Sequence, residues 1–187
     1  NGAGKSTVLR VMTGELKRRF LREAEAAAGL SHAGIVPVFE AGQDGAVCYI
    51  ASALCDGPSL KEWLAARQEP VPPDEAARLV SQLAEAVQHA HDRGVLHRDL
   101  KPANILLEPE PSAAGVRLTP RIADFGLAKL LDDAVDETRT GAIIGTPAYM
   151  APEQAEGRPA DVGPATDIYA LGVLLYELLA GLSPFAR

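Results

Sequence analysis

Four side chains in two short stretches carry the chemistry open to this sequence. The first stretch is His97-Arg98-Asp99-Leu100-Lys101-Pro102-Ala103-Asn104, and the second is Asp124-Phe125-Gly126. Asp99 offers a carboxylate that can accept or orient the proton of an attacking hydroxyl. Lys101 offers an ammonium that can neutralise negative charge on a group in transit. Asn104 offers an amide oxygen and Asp124 a carboxylate, both hard donors suited to Mg²⁺. A positioned hydroxyl, metal ions on the phosphates and positive charge near the moving group are what transfer of a γ-phosphoryl group needs. Asp124-Phe125-Gly126 alone would be weak, because Asp-Gly-type triplets are common in turns. The informative feature is the combination.

A third stretch, Gly145-Thr146-Pro147-Ala148-Tyr149-Met150-Ala151-Pro152-Glu153, completes a set whose order and spacing resemble the protein kinases. Lys101 followed by Pro102 resembles the serine/threonine class, and the nearest resemblance is to bacterial serine/threonine protein kinases of the eukaryotic-like type. The resemblance implies an α+β, protein-kinase-like fold of two lobes, with a partial β-rich small lobe and a mostly helical large lobe. It also implies ATP and Mg²⁺ as cofactors and a protein substrate with a Ser or Thr acceptor. By this match Asp99, Lys101, Asn104 and Asp124 form the catalytic set, and Asn104 and Asp124 hold the metal. Glu23 pairs with a lysine of the third strand, and the backbone at Ala53 and Cys55 meets the adenine edge, with Ser52 at the back of the pocket. His97 is implied to pack against Phe125, and Asp167 to anchor the backbone of the catalytic loop. Residues 130–145 correspond to the activation segment, where Thr138 and Thr140 are candidate autophosphorylation sites. Arg98 could receive such a phosphate through a bidentate guanidinium pair. Thr146 would bond near Asp99 and Lys101, and Glu153 would meet an arginine further along.

Size and composition set the frame. The chain has 187 residues, enough for one domain with a real core, and 47% of them are hydrophobic, as in globular proteins. A net charge of −7 without a long basic run argues against a nucleic-acid or anionic-membrane surface. Cys48 and Cys55 lack metal or redox spacing, which fits reduced thiols and a cytoplasmic setting. The longest apolar run, 168–182, is too short to span a bilayer and contains Glu177. The chain does not begin with Met. The expectation is a kinase domain truncated at both ends, with residues 17–187 running from the C helix to just after the F helix.

Residues 1–16 read differently. Asn1-Gly2-Ala3-Gly4-Lys5-Ser6-Thr7 resembles the end of the phosphate-binding loop of ABC transporter ATPases, with a helix opening at Thr7. Thr7-Val8-Leu9-Arg10-Val11 also resembles the third kinase strand, V-A-[I/L]-K-V, with Arg10 in the lysine position. An arginine is not a neutral replacement for a compact ammonium. Three explanations stand: a junction with foreign sequence, a degenerate third strand, or a working phosphate loop joined to a kinase. Arg10 also keeps open a second function, a catalytically impaired pseudokinase acting as a binding module.

The positioning elements follow from periodicity and turn chemistry. A helix is predicted over 17–29, with Phe20, Leu21, Ala24, Ala27 and Ala28 as its apolar stripe and Gly29 as its stop. Strands are predicted over 35–40 and 46–51 about an Asp44-Gly45 turn. Ser59-Leu60-Lys61-Glu62 is a capping box opening a helix to residue 67. A longer helix is predicted over 72–93, burying Leu79, Val80, Leu83, Ala84, Val87 and His91. Residues 105–107, 116–118 and 121–123 read as strands, with 108–115 a Pro- and Ala-rich surface excursion. An apolar helix over 168–180 ends at Gly181.

Overall fold

The computed structural model describes residues 5–10, 14–45, 47–112, 115–125 and 147–185. Strands β1 (Lys5–Arg10), β2 (Val38–Asp44) and β3 (Val47–Ser52) form an antiparallel sheet in the order β1-β3-β2. Helix α1 (Gly14–Ala28) lies against it. Its Phe20 and Ala24 close a small core with Cys48 and Ile50 of β3. The helix starts three residues earlier than its apolar stripe predicts, and Ala28 is exposed at its end.

The helix expected from Thr7 in the phosphate-loop alignment is not formed. Residues 5–10 are extended and pair along their whole length with β3, from Lys5 opposite Ser52 to Arg10 opposite Val47. Thr7 and Val8 are β-branched and suit a strand. Residues 1–4, which carry most of the phosphate-loop wording, lie outside the described residues.

The segment predicted as the start of β2 is used elsewhere. Pro37 has no N–H to give a ladder, and the residues before it cross to the second sheet. Val36 donates to the Ile122 carbonyl at 2.9 Å, and Ile122 donates to that of Gly34 at 2.8 Å. Strand β2 therefore begins at Val38 and runs to Asp44, which pairs with Val47 across a turn where Gly45 has a φ of 58°.

The second sheet is a hairpin of β4 (Ile105–Ser112) and β5 (Gly115–Ile122). Here the expected surface excursion is corrected: Glu108 to Ser112 continue the ladder in unbroken register, ending with Ser112 opposite Gly115. Prolines 109, 111 and 120 are tolerated because they share the alternate register of Leu107 and Ile122, whose N–H groups point away from the partner strand. The inner ends, Ile105, Leu107 and Ile122, are fully buried.

The large core forms between this hairpin, α3 (Pro73–His91) and α5 (Pro164–Ala180). In α3 the buried stripe is Ala76, Leu79, Leu83, Ala86, Val87 and Ala90, so Ala84 falls outside it and is exposed. Leu174 and Leu178 of α5 complete the contact, and Val71 donates to the Leu178 carbonyl at 2.8 Å. Gly94 (φ 73°) and Gly181 (φ 74°) take the left-handed turns that end α3 and α5.

Helix α2 (Leu60–Ala65) has the expected capping box, with the Ser59 N–H donating to Glu62 Oε2 at 2.8 Å and the Glu62 N–H to Ser59 Oγ at 3.2 Å. Trp63 packs on the large core and carries the Arg67 guanidinium 4.5 Å from its ring centre. The chain enters α2 through a close approach. A Cβ on Gly57 would lie 1.6 Å from the Leu107 carbonyl oxygen, while Leu107 donates to the Pro58 carbonyl at 2.9 Å. Gly57→Ala must push this segment off β4. It is expected to destabilise the protein by about 2–3 kcal/mol, seen as a thermal midpoint lower by about 5–10 °C in a melting experiment.

Candidate active site

The site is assembled by one buried carboxylate. Asp167, in the first turn of α5, is 1% exposed and receives three donors from distant sequence. Its Oδ2 accepts the His97 N–H at 2.9 Å and His91 Nε2 at 2.8 Å; its Oδ1 accepts the Arg98 N–H at 2.7 Å. Arg98 sits at a φ of 68°, a left-handed conformation that costs a non-glycine residue about 1–3 kcal/mol. Two side chains hold it there: Asp167 takes its N–H, and Gln154 Nε2 donates to its carbonyl at 2.7 Å. The following residue is Asp99.

His97 joins the two halves of the site. It is fully buried, with its ring edge-on to Phe125 at a centroid distance of 4.8 Å. Its Nδ1 accepts the Asp99 N–H at 3.2 Å, so the ring proton resides on Nε2 and is donated to the Ala123 carbonyl at 2.9 Å. Burial pushes the imidazole below its ordinary range and keeps it neutral. With both nitrogens committed, His97 is a structural post between the catalytic loop and the residue preceding Asp124. The Ala123 N–H completes the tie by donating to the Asn104 carbonyl at 2.9 Å.

The predicted catalytic residues Asp99, Lys101 and Asn104 come together on the 3₁₀ turn Pro102–Asn104 and the residues before it. Lys101 Nζ lies 2.5 Å from Asp99 Oδ2. Asn104 Nδ2 donates to the Asp99 carbonyl at 2.9 Å and to Asp99 Oδ2 at 3.0 Å. This use of Nδ2 leaves the amide oxygen as the acceptor end. Asp124, also left-handed at a φ of 60°, is exposed and has no hydrogen bond or ion pair among the described residues. An amide oxygen and an unengaged carboxylate suit a hard cation that keeps water or phosphate in its other positions.

The partner matched to Glu23 on the third strand falls at Arg10, whose side chain lies outside what the structure describes. The Glu23 carboxylate lies 3.7 Å from Arg98 Nη1, and both side chains are about a quarter exposed, 26% and 25%. Helix α1 is thereby linked to the catalytic loop. At this exposure the pair is worth under about 1 kcal/mol. Arg98 was matched to a phosphate on Thr138 or Thr140; those threonines, Gly126 and Thr146 lie outside the described residues.

Around the adenine-edge segment, the Ala53 N–H donates to the Pro37 carbonyl at 2.8 Å, so Ala53 has its carbonyl to offer a ligand. Cys55 is half-buried beside it, and neither cysteine forms a disulfide. On the far side of Asp99, Tyr149 donates to Glu177 Oε2 at 2.7 Å, and burial with this bond pushes its phenol well above the ordinary range. Glu153 accepts from Thr166 Oγ1 at 2.6 Å, which holds its carboxyl below the usual range. Gln154 escaped the sequence reading, and His91 was read only as part of the buried face of its helix, because its acceptor lies 76 residues away. Gln154 carried no signal beyond its place after Glu153.

Comparison with known proteins agrees with this geometry. Residues 3–187 match the family model described as the protein kinase domain. The serine/threonine-protein kinase PkaA of Streptomyces coelicolor is 42% identical over 97% of this chain and 33% of its own length. PknB of Mycobacterium leprae is 35% identical over 97% of the chain and 29% of its own length. The crystal structure of the Mycobacterium tuberculosis PknI kinase domain superposes with a TM-score of 0.73 at 34% identity, covering 97% of this chain and 65% of that one. The chain thus spans about a quarter to a third of the length of the curated relatives it matches. With the β-rich and helical parts arranged as in PknI and the paired Asp99 and Lys101 on their turn, the chain belongs to the protein kinase family.

Proposed function

We propose that this chain is the catalytic part of an ATP-dependent serine/threonine protein kinase. The observation that carries the reading is the cluster on one turn: Asp99 bonded to Lys101 Nζ at 2.5 Å and to Asn104 Nδ2 at 3.0 Å. In the reaction the acceptor hydroxyl oxygen bonds to the γ-phosphorus, the bond from phosphorus to the departing ADP oxygen breaks, and the hydroxyl proton passes to Asp99 Oδ. Lys101 has the reach to leave Asp99 for the transferring group and lower its charge. Asn104 and Asp124 would hold Mg²⁺, whose role when bound is to screen the phosphate oxygens. Asn104 also fixes Asp99 through the backbone carbonyl. Ala53 and Cys55 would meet the adenine.

A protein acceptor is favoured by a groove of ≈ 320 Å³ that opens onto Lys101, lined by Lys61, Leu64, Pro102, Ala103 and Tyr149 among others. The acceptors include Thr138 and Thr140 of the chain itself. A cytoplasmic location fits two cysteines without a disulfide, and no helix among the described residues is long and apolar enough to cross a membrane.

One observation favours a second reading, a kinase of impaired activity. Strand β1 aligns Arg10 opposite Val47 in the third-strand register, where the family pattern has lysine. A guanidinium is broader and more rigid than an ammonium.

Two sets of variants of the full-length protein test these readings. Asp99→Asn is expected to lower phosphate transfer from labelled ATP by about 100-fold or more while nucleotide affinity stays near wild type. Asp124→Ala is expected to abolish the Mg²⁺ dependence of nucleotide binding in titration calorimetry. Retained transfer in the first or unchanged binding in the second would remove those residues from their roles. Arg10→Lys separates the two readings. A rise in transfer of about tenfold or more would mark the natural protein as impaired, whereas an unchanged rate would show that Arg10 does not limit it.

A further inference from the structure

We infer that Gln154 is a positioning residue for Asp99, acting through the peptide plane that leads into it. The inference rests on the kinase reading of Asp99. The C=O of Arg98 and the N–H of Asp99 belong to one plane. At one end the Asp99 N–H donates to His97 Nδ1 at 3.2 Å; at the other, the Arg98 carbonyl accepts from Gln154 Nε2 at 2.7 Å. His97 is part of the same loop, whereas Gln154 is 56 residues from Arg98 in sequence. It ties this plane to the body of the protein on the acceptor side, as His97 does on the side of Ala123.

The orientation of the Gln154 amide is set by its partners. Its Oε1 accepts the Ala151 N–H at 3.1 Å, and its Nε2 faces the Arg98 carbonyl. Turned over, the amide would set oxygen against oxygen and N–H against N–H. The backbone beneath it is under strain, since Arg98 stands at a φ of 68°. Asp167 fixes the N–H side of Arg98 and does not restrain rotation about the next bond. Gln154 supplies that restraint together with His97, and its bond is the shorter of the two. A plane free to rotate would swing the Cβ of Asp99 and carry its carboxylate off the line to the acceptor, and a displacement of about 1 Å can cost about 100-fold in rate.

Gln154 also belongs to the acceptor side of the site. It lies in the short helix α4 (Pro152–Ala155), which follows the turn Pro147–Tyr149. Tyr149 fastens that turn to Glu177 of α5, and Gln154 fastens the same segment to the catalytic loop. One amide therefore sets the distance between the wall of the acceptor groove and Asp99. Its effect should fall on turnover and on the acceptor, with little on the nucleotide.

The test uses Gln154→Leu and Gln154→Glu in the full-length protein. Gln154→Glu keeps an oxygen for the Ala151 N–H and turns a carboxylate oxygen in place of the donor toward the Arg98 carbonyl, so it retains the bond at the start of α4 that the leucine variant gives up. Amide hydrogen exchange across residues 97–101 is measured first, because it requires no activity. Faster exchange there in both variants, with exchange in α3 unchanged, is the expected result; wild-type exchange at 97–101 in Gln154→Glu would overturn the inference. Kinetics supply the second readout. In Gln154→Glu, kcat is expected to fall about tenfold or more with the KM for ATP unchanged, and an unchanged kcat, or a loss confined to the KM for ATP, would overturn it. Absence of transfer in the wild-type protein would instead be a failure of the kinase reading, and the exchange comparison would still decide for Gln154.

Discussion

The structure depends on the satisfaction of one buried charge. A carboxylate at 1% exposure is costly unless donors replace the water it has lost. Asp167 finds three, two of them backbone N–H groups of consecutive residues, His97 and Arg98. Two adjacent amides converge on one carboxylate, and the left-handed conformation of Arg98 turns the chain immediately after the second of them. It fixes the direction in which the chain leaves toward Asp99.

From that point the site is built by backbone ties more than by side-chain packing. His97 spans from the Asp99 N–H to the Ala123 carbonyl, and Asn104 receives the Ala123 N–H on its own carbonyl. The residue before Asp124 is thus gripped on both polar groups, so the spacing between Asp99 and Asp124 is set by hydrogen bonds that no substrate needs to form. The hairpin β4–β5 delivers both stretches to this point, and its inner residues Ile105 and Ile122 anchor it in the core. The segment Gly34–Val36 then fastens Ile122 to the region following α1. Helix α1 reaches the same loop from above through Glu23 and Arg98, an ion pair too exposed to contribute much stability. Its effect is to couple the position of a small-lobe helix to the catalytic loop.

Much of this was legible in the sequence because chemistry and local geometry are encoded in adjacent residues. Asp99, Lys101 and Asn104 are close in sequence and close in space, and the capping box at Ser59 and Glu62 forms as written. What was not legible depends on distance. The expected excursion at 108–115 is a paired strand because its partner, β5, supplies a register that Pro109 and Pro111 conceal. Ile35 and Val36 read as strand from their β-branched types, yet this segment bridges to Ile122 of the other sheet. His91 read as one residue of a buried helix face and Gln154 gave no reading, because their acceptors lie 76 and 56 residues away. In each case the missing information was a long-range hydrogen bond, which leaves no periodic trace.

The most direct test of this account is phosphate transfer by Asp167→Asn in the full-length protein, measured below the variant's own thermal midpoint. The substitution keeps the shape of the side chain and one acceptor oxygen, and turns an N–H₂ toward donors that need an acceptor. The account predicts a folded protein that binds Mg²⁺-ATP about as well as wild type and transfers phosphate about 100-fold more slowly or worse, because the loop carrying Asp99 has lost its anchor. Wild-type transfer by the folded variant would show that the buried carboxylate does not set the catalytic geometry.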